Sequence, residues 1–251
     1  MIELKSAKDR DKMRKAGRVV AEVLQILKAE CRPGMSTLEM DAIADREIRS
    51  RGAVPVFKGY RGYPASVCVS VNHEVVHGIP GPRRLRPQDL VSLDLGATVQ
   101  GFVGDAALSF FLEEAPDEEA LRLLTVTEES LYKGIRMAVP GGHLGDISHA
   151  VQEHVEQHGF SIVRDFVGHG IGRQMHEEPQ VPNYGPAGRG ILLKSGLALA
   201  IEPMVNMGGH DVDVLDDGWT VVSRDGSLSA HFEHTIFLDE TGPEILTAIR
   251  P

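Results

Sequence analysis

Two aspartates, Asp94 and Asp105, stand inside the alternating apolar stretch VSLDLGATVQGFVGDAALSF, residues 91–110. The apolar neighbours of Asp94 share one strand face, so its carboxylate falls on the other face. Gln100 and Gly101 are typical of a tight turn. With a loop of two or four residues, both aspartates lie on the same face of a hairpin; a three-residue loop separates them unless a bulge intervenes.

Carboxylates held this close repel each other, which raises the pKa of at least one of them unless a cation neutralises the pair. Because aspartate is seldom fully buried, two acids exposed at the sheet rim are the simplest alternative. The second half of the chain, however, supplies the groups that a cation needs. His169, Glu202 and Glu233 lie in the strand-like segments FVGHGIG, LALAIEP and SAHFEHTIFL. Four carboxylates and an imidazole on strands are difficult to explain without a metal.

Charge balance favours two divalent ions. Their four positive charges neutralise the four carboxylates, and one bridging hydroxide then leaves the site with a single negative charge. Oxygen-rich ligation with a single nitrogen suits Mn, Fe, Co or Zn. His154 and His158 form a rival pair at helical spacing. The sequence shows no third ligand beside them, so we interpret them as an exposed helix face. The segment HEEP at residues 176–179 is not the HExxH zinc motif.

Capping and turn signals predict the elements that position these groups. Apolar residues at helical spacing predict a helix over about residues 6–30. Ser36 and Glu39 have the spacing of a capping box, which predicts a second helix that ends at Gly52. Another helix is predicted over about residues 117–137.

The chain repeats itself after about a hundred residues. PGMSTLEMDAIADREIRSRG, residues 33–52, aligns without gaps on PGGHLGDISHAVQEHVEQHG, residues 140–159. The apolar runs DLVSLD and LALAIE also match, and each ends in a carboxylate, Asp94 or Glu202. The pattern predicts a single catalytic domain of two pseudo-symmetric halves, about 1–112 and 113–251. The identities are few, so chance resemblance is the alternative.

The composition limits where the protein works. In 251 residues with a net charge of −10, no apolar run reaches membrane-spanning length, and the charged start MIELKSAKDRDKMRK has no apolar signal stretch. We expect a cytoplasmic protein without a membrane anchor and without stable nucleic-acid binding. The two cysteines, Cys31 and Cys68, are interpreted as reduced thiols. The basic cluster at residues 82–86 is interpreted as a solvated turn.

Nearly the whole chain resembles the bacterial type I methionine aminopeptidases. The resemblance is carried by GYRGYPASVCVSVNHEVVHGIP, VSLDLGATVQGFVGDAA, FVGHGIGRQMHEEPQV, IEPMVN, DGWTVVSRDGSLSAHFEHTI and EILT. It implies an α+β pita-bread fold, in which helices cover a pseudo-twofold antiparallel β-sheet. This expectation agrees with the internal repeat.

The resemblance also implies roles for the residues singled out above. Asp105 and Glu233 would bridge two divalent metal ions; Asp94 would bind one ion, and His169 with Glu202 the other. A hydroxide bridging the ions would attack the peptide, with Glu202 as the proton shuttle. His77 would contact the scissile amide, and His176 would hydrogen-bond the carbonyl oxygen.

A methionine pocket is implied next to the metals. Its expected wall consists of Tyr60, Tyr63, Cys68, His77 and Trp219, although Trp219 could instead be a plain core aromatic. The sequence departs from the family pattern at four positions: Phe57 replaces a frequent cysteine, Met175 replaces an aromatic residue, and Ala106 and Ala107 replace hydroxyl residues. A monovalent cation near Asn72 and Ser229 is a further implication.

The resemblance implies removal of the initiator methionine from nascent chains when the second residue is small. Three alternatives stand beside it: a proline-directed aminopeptidase of the same fold, a non-catalytic module that binds peptides or proteins, and a metal-dependent hydrolase acting on other substrates. The first usually carries a large amino-terminal domain, for which the sequence offers no room before Ser6. The second tends to lose metal ligands, which are all present here. We further expect a monomer that contacts ribosomes only transiently.

Overall fold

The computed structural model describes residues 2–249. The helices are α1 (Ala7–Glu30), α2 (Thr37–Ser50), α3 (Glu118–Met137) and α4 (Leu144–Gln157), and a short 3₁₀ turn covers Tyr60–Gly62. The strands are β1 (Val54–Pro55), β2 (Cys68–Val71), β3 (Glu74–Val76), β4 (Leu90–Val99), β5 (Phe102–Phe111), β6 (Ser161–Ile162), β7 (Gly168–Gly170), β8 (Glu177–Val181), β9 (Ala198–Ile201), β10 (Met204–Asn206), β11 (Val212–Val214), β12 (Val221–Ser223), β13 (Ser229–His231), β14 (Glu233–Asp239) and β15 (Gly242–Ile245).

Side-chain caps fix where the helices begin. The Ser6 hydroxyl accepts the backbone N–H of Asp9, and Ser36 makes the same contact with Glu39, so α1 and α2 both begin with a capping box. Asp117 caps α3 by accepting the backbone N–H of Ala120. The helix boundaries predicted from apolar spacing, from the Ser36–Glu39 capping box and from turn residues are confirmed to within a residue or two.

An antiparallel sheet of nine strands runs through the molecule. Its main path is β1-β4-β5-β14-β9-β7-β8, while β2 pairs with β4 and β15 with β14. Gln100 and Gly101 form the two-residue turn between β4 and β5, and both have positive φ, 51° and 77°. This combination is the type I′ turn that suits the twist of a hairpin. The predicted hairpin is therefore confirmed.

The helices pack on this sheet, and the hydrophobic core between them has two adjoining parts. The first core packs α1 and α2 against β2, β4 and β5, and the second packs α3 and α4 against β9 and β14. Two three-stranded sheets, β13-β10-β6 and β11-β12-β3, lie beside the large one. The α+β architecture expected from the sequence is confirmed, while the division into halves at about residue 112 stays a prediction.

One expectation about a helix face was wrong. His154 was expected to be exposed, but only 6% of its surface is accessible, and its Nε2 lies 3.0 Å from Glu129 Oε2 on α3. The error arose because α4 packs against α3 through this face, and a single helical pattern does not show which neighbour covers a histidine. Cys31 and Cys68 are free thiols, as expected. Within residues 2–249 no helix is both long and apolar enough to cross a membrane.

Candidate metal centre and adjoining cavity

Five neighbouring strands of the large sheet carry the predicted metal ligands. Asp94 lies on β4, Asp105 on β5, Glu233 at the start of β14 and His169 on β7, and Glu202 directly follows β9. These strands stand in the order β4-β5-β14-β9-β7, so each is hydrogen-bonded to the next. Residues that are far apart in the sequence are thereby brought close together.

The strand register puts all five side chains on the same face. Ala107 of β5 is opposite both Asp94 and Glu233, and Asp105 is two residues from Ala107. Directly opposed residues, and residues two apart along a strand, point to the same side. Ala200 of β9 is opposite both His169 and Thr235, which is two residues after Glu233, and Ala200 lies two residues before Glu202. The same-face arrangement of Asp94 and Asp105, predicted from the turn, is confirmed.

The ligand atoms lie close enough to share a cation. Asp105, His169 and Glu233 each offer one such atom within 4.8 Å of the others. His169 Nε2 also lies 3.6 Å from Glu202 Oε1. Within residues 2–249, one carboxylate oxygen each of Asp94, Asp105 and Glu233 is buried without any hydrogen-bond partner. Because buried oxygens without partners are costly, this donor set fits divalent metal ions.

The tautomer of His169 suits a metal ligand. Its Nδ1 lies 2.9 Å from the carbonyl oxygen of Gly170, so that nitrogen carries the proton and donates it. Nε2 is then left with a lone pair on the side facing Asp105 and Glu202. Burial lowers the pKa of His169 to about 3, which keeps the ring neutral.

The carboxyl groups titrate far from their ordinary range. Burial raises the pKa of Asp94, Glu202 and Glu233 well above normal, and repulsion among the neighbouring carboxylates raises it further. Burial also raises the pKa of Asp105 to about 7. Asp105 and Glu233 are buried and Asp94 and Glu202 are half-buried, so these four acids cannot easily be ionised together unless positive charge lies between them. The raised pKa values therefore favour bound cations, as do the buried carboxylate oxygens that have no hydrogen-bond partner.

A cavity of about 240 Å³ opens next to the five ligands. Its lining contains every residue expected to bind the divalent ions, to contact the substrate or to act in catalysis: Phe57, Tyr60, Tyr63, Cys68, His77, Asp94, Asp105, His169, Met175, His176, Glu202, Trp219 and Glu233. The sequence reasoning missed Arg61 and Phe166, which also line it. Both lie inside motifs quoted above, Arg61 in GYRGYP and Phe166 at the start of FVGHGIG, but no residue-type signal marks either as part of the cavity.

The apolar wall is rigid. Tyr63 packs edge-on against Trp219 with ring centroids 5.1 Å apart, and its hydroxyl donates to the carbonyl oxygens of Val67 and Gly78. Trp219 is therefore part of the cavity and not a plain core aromatic. His77 has a φ of 61°, an unusual conformation for a residue with a side chain. Such strain is concentrated at functional sites.

His176 lies between the wall and the metal ligands. Its ring centroid is 4.2 Å from that of His169, and its Nδ1 lies 2.9 Å from Tyr60 Oη. If the tyrosine hydroxyl donates to Nδ1, the proton of the neutral ring is on Nε2. That N–H is then available to a ligand in the cavity.

Support for Asp105 comes from a neighbouring strand. The Thr235 hydroxyl accepts the N–H of Asp105 at 3.0 Å and lies 2.7 Å from its carbonyl oxygen, to which it donates. Ala106 and Ala107 offer no hydroxyl of their own. Their backbone positions next to Asp105 are fixed by pairing with His234 and Glu233.

Comparison with known proteins identifies the class. The chain belongs to metallopeptidase family M24, whose sequence model matches residues 11–240. Full-length relatives within it carry a narrower name. A methionine aminopeptidase from Clostridium perfringens is 53% identical over 100% of both chains. Methionine aminopeptidase 1 from Bacillus subtilis is 52% identical, covering 99% of this chain and 100% of its own.

Solved structures agree with the fold. A methionine aminopeptidase from Thermotoga maritima matches with a TM-score of 0.97 and 47% identity over 99% of this chain and 100% of its own. The prolidase of Pyrococcus furiosus matches with a TM-score of 0.81 but only 20% identity, and just 66% of its chain is covered. The second likeness concerns the fold alone.

Proposed function

We propose that this protein is a metal-dependent aminopeptidase that releases methionine from the amino terminus of nascent polypeptides. One observation supports this most strongly: five side chains of metal-ligand type share one face of a sheet beside a mostly apolar cavity. Relatives that match over their full length are methionine aminopeptidases.

Asp94, Asp105, His169, Glu202 and Glu233 would hold the metal. Two divalent ions suit the four carboxylates by charge, and Mn, Fe, Co or Zn suit the ligand types. The chemistry that such ions supply is polarisation of the scissile carbonyl and a lower pKa for a water molecule. The number and identity of the ions are parts of this proposal.

The chain's own residues then orient the peptide and move protons. Glu202, with one oxygen 3.6 Å from His169, accepts a proton from the attacking water and passes it to the leaving amine. His176 donates from Nε2 to the carbonyl oxygen as negative charge develops on it. His77, whose ring packs edge-on against Trp219 in the cavity lining, contacts the scissile amide. Each role is proposed from position in the cavity and from the resemblance.

The apolar wall suits an unbranched thioether side chain. Tyr60, Tyr63, Cys68, His77 and Trp219 surround the cavity together with Phe57 and Met175. Burial raises the pKa of the Cys68 thiol well above its usual value, so it contributes as an apolar group. The second residue of the peptide is proposed to be small, on the strength of the resemblance.

Several finer features are expectations from the sequence and from the resemblance, and they stay proposals. These are a cytoplasmic location, a monomeric state, transient ribosome contact and a monovalent cation near Asn72 and Ser229. Asn72 and Ser229 are in contact, since the Ser229 N–H donates to the carbonyl oxygen of Asn72 at 2.9 Å. The Asn72 side chain itself contacts Asp89 and Leu90.

Neither a proline-directed peptidase nor a non-catalytic module is favoured. The prolidase likeness is limited to the fold, and all five proposed ligands line the cavity. The deciding experiment is release of methionine from Met-Ala-Ser and Met-Leu-Ser by metal-stripped protein, with and without Mn or Co. We expect metal-dependent cleavage of the first peptide and much slower cleavage of the second. Equal cleavage without metal, or none with it, would contradict the proposal.

A further inference from the structure

His231, at the end of β13, is a buried histidine to which no role is assigned above. Only 2% of its surface is accessible. Within residues 2–249 its Nε2 is buried and has no hydrogen-bond partner. A buried polar atom in this state costs free energy, so its presence calls for an explanation.

The nearest acidic group to this nitrogen is Glu202. His231 Nε2 lies 4.0 Å from Glu202 Oε2, while the other carboxylate oxygen faces His169 Nε2 at 3.6 Å. Glu202 therefore stands between two imidazoles that approach it from different sides. Oε1 of Glu202 faces His169, one of the proposed metal ligands, and Oε2 faces His231, which does not line the cavity.

The backbone holds His231 firmly against this carboxylate. Its N–H donates to Ser109 Oγ at 2.9 Å, and that hydroxyl donates back to the His231 carbonyl oxygen at 2.7 Å. His231 is also opposite Met204 in the β10–β13 ladder, two residues beyond Glu202. The Glu202 backbone is fixed in turn by Asn183, whose Nδ2 donates to its carbonyl oxygen at 3.0 Å.

We propose that His231 is a positioning residue that donates its Nε2–H to Glu202 Oε2 and so directs the other oxygen towards the metal ligands. A hydrogen bond needs about 3 Å, so a small rotation of the carboxylate closes the gap. The inference rests on the proposed function, because it assigns a task to the proton shuttle of that reaction. An outer hydrogen bond of this kind stabilises the ionised carboxylate and fixes its orientation.

Two substitutions separate hydrogen bonding from packing. His231→Leu removes the donor, whereas His231→Gln places an amide N–H near the same position. A matched control is His154→Leu, which removes another buried histidine on α4 that does not line the cavity. Circular dichroism and the melting temperature of each metal-stripped variant show whether it is folded.

The primary measurement is calorimetric titration of each metal-stripped variant with Mn, followed by kcat and KM for Met-Ala-Ser. We expect His231→Leu to weaken Mn binding about 10–100-fold and to lower kcat by a similar factor, with little change in KM. His231→Gln should stay within about threefold of the wild type, as should His154→Leu.

Wild-type Mn affinity in His231→Leu, or equal losses in the Leu and Gln variants, would overturn the inference. A failure of the proposed function looks different. If only the proposed activity is wrong, the wild type still binds Mn and the variants bind Mn in the expected order of affinity, but neither the wild type nor any variant releases methionine.

Discussion

The hydroxyl of Tyr60 contributes to the site through one contact, with Nδ1 of His176 at 2.9 Å. Tyr60→Phe keeps the ring and deletes that contact. Because one hydrogen bond contributes about 0.5–1.5 kcal/mol, we expect kcat for Met-Ala-Ser to fall by roughly 2- to 13-fold, with KM nearly unchanged. Tyr132→Phe is the matched control, since it removes the hydroxyl of a Tyr–His pair that does not line the cavity. An increase in KM alone would show that Tyr60 only shapes the pocket.

Gly96 is opposite Asp105 in the hairpin and leaves no room for a side chain. A Cβ at this position would lie 2.5 Å from Val56 Cγ1 and 3.3 Å from Asp105 Oδ1. Gly96→Ala should therefore destabilise the protein by about 1–3 kcal/mol and weaken Mn binding. Gly81→Ala is the control, because its nearest neighbour would be 3.9 Å away. Thermal melts and Mn titration measure both effects, and an unchanged Gly96→Ala variant contradicts this account.

At the residue scale, the sequence predicted the ligands better than their surroundings. Asp94 and Asp105 could be assigned to one face because alternation and a two-residue turn are local signals. His231 could not be found this way. Its approach to Glu202 depends on pairing between β10 and β13, which are separated by more than twenty residues. Arg61, with a φ of 49°, also has no local signal, since its backbone conformation is set by the surrounding fold.

At the scale of elements, α2 anchors the segment that carries the cavity aromatics. Asp41 accepts the N–H of Ser66 at 2.7 Å, and Asp45 accepts its hydroxyl at 2.9 Å. Hydrogen bonds from Arg49 and Ser66 lower the pKa of Asp45 to about 2. Because the folded-state pKa is below the ordinary value of 3.8, the ionised carboxylate stabilises the fold above that value. This contribution is lost as the pH falls towards 2.

Asp45→Asn tests this anchor. The variant should be less stable than the wild type at about pH 6, by less than about 1 kcal/mol, because the ion pair lies at the surface, with the Asp45 side chain 26% and the Arg49 side chain 53% exposed. The difference should shrink as the pH is lowered from about 4 to about 2. Urea denaturation at several pH values measures it. A difference that is constant over this range would mean that the carboxylate's charge is unimportant.

Helix boundaries were predictable because signals such as the Ser36–Glu39 capping box lie within four consecutive residues. The two small sheets were not, because their strands are only two or three residues long and pair across distant parts of the chain. Short strands have too few alternating positions to show a period. The exposure of His154 was misjudged for a related reason, since α3 covers it.

At the scale of the whole molecule, metal binding should stabilise the fold. A cation at 100 times its dissociation constant adds about 2.7 kcal/mol, which for a chain of this size raises the melting temperature by roughly 5–10 °C. We expect this increase when Mn is added to metal-stripped protein, measured by differential scanning fluorimetry. His169→Ala is the control and should show little increase. An equal increase in that variant would mean that Mn binds elsewhere.

The order of strands in the large sheet has a consequence for biosynthesis. β14 lies between β5 and β9, yet it is made after both, and Glu233 falls within the last tenth of the 251 residues. An unfinished copy thus holds Asp94 and Asp105 on a hairpin whose next strand has not been translated. If the five proposed ligands hold the metal, the complete ligand set exists only late in synthesis, and we expect a product cut off before Glu233 to lose methionine release.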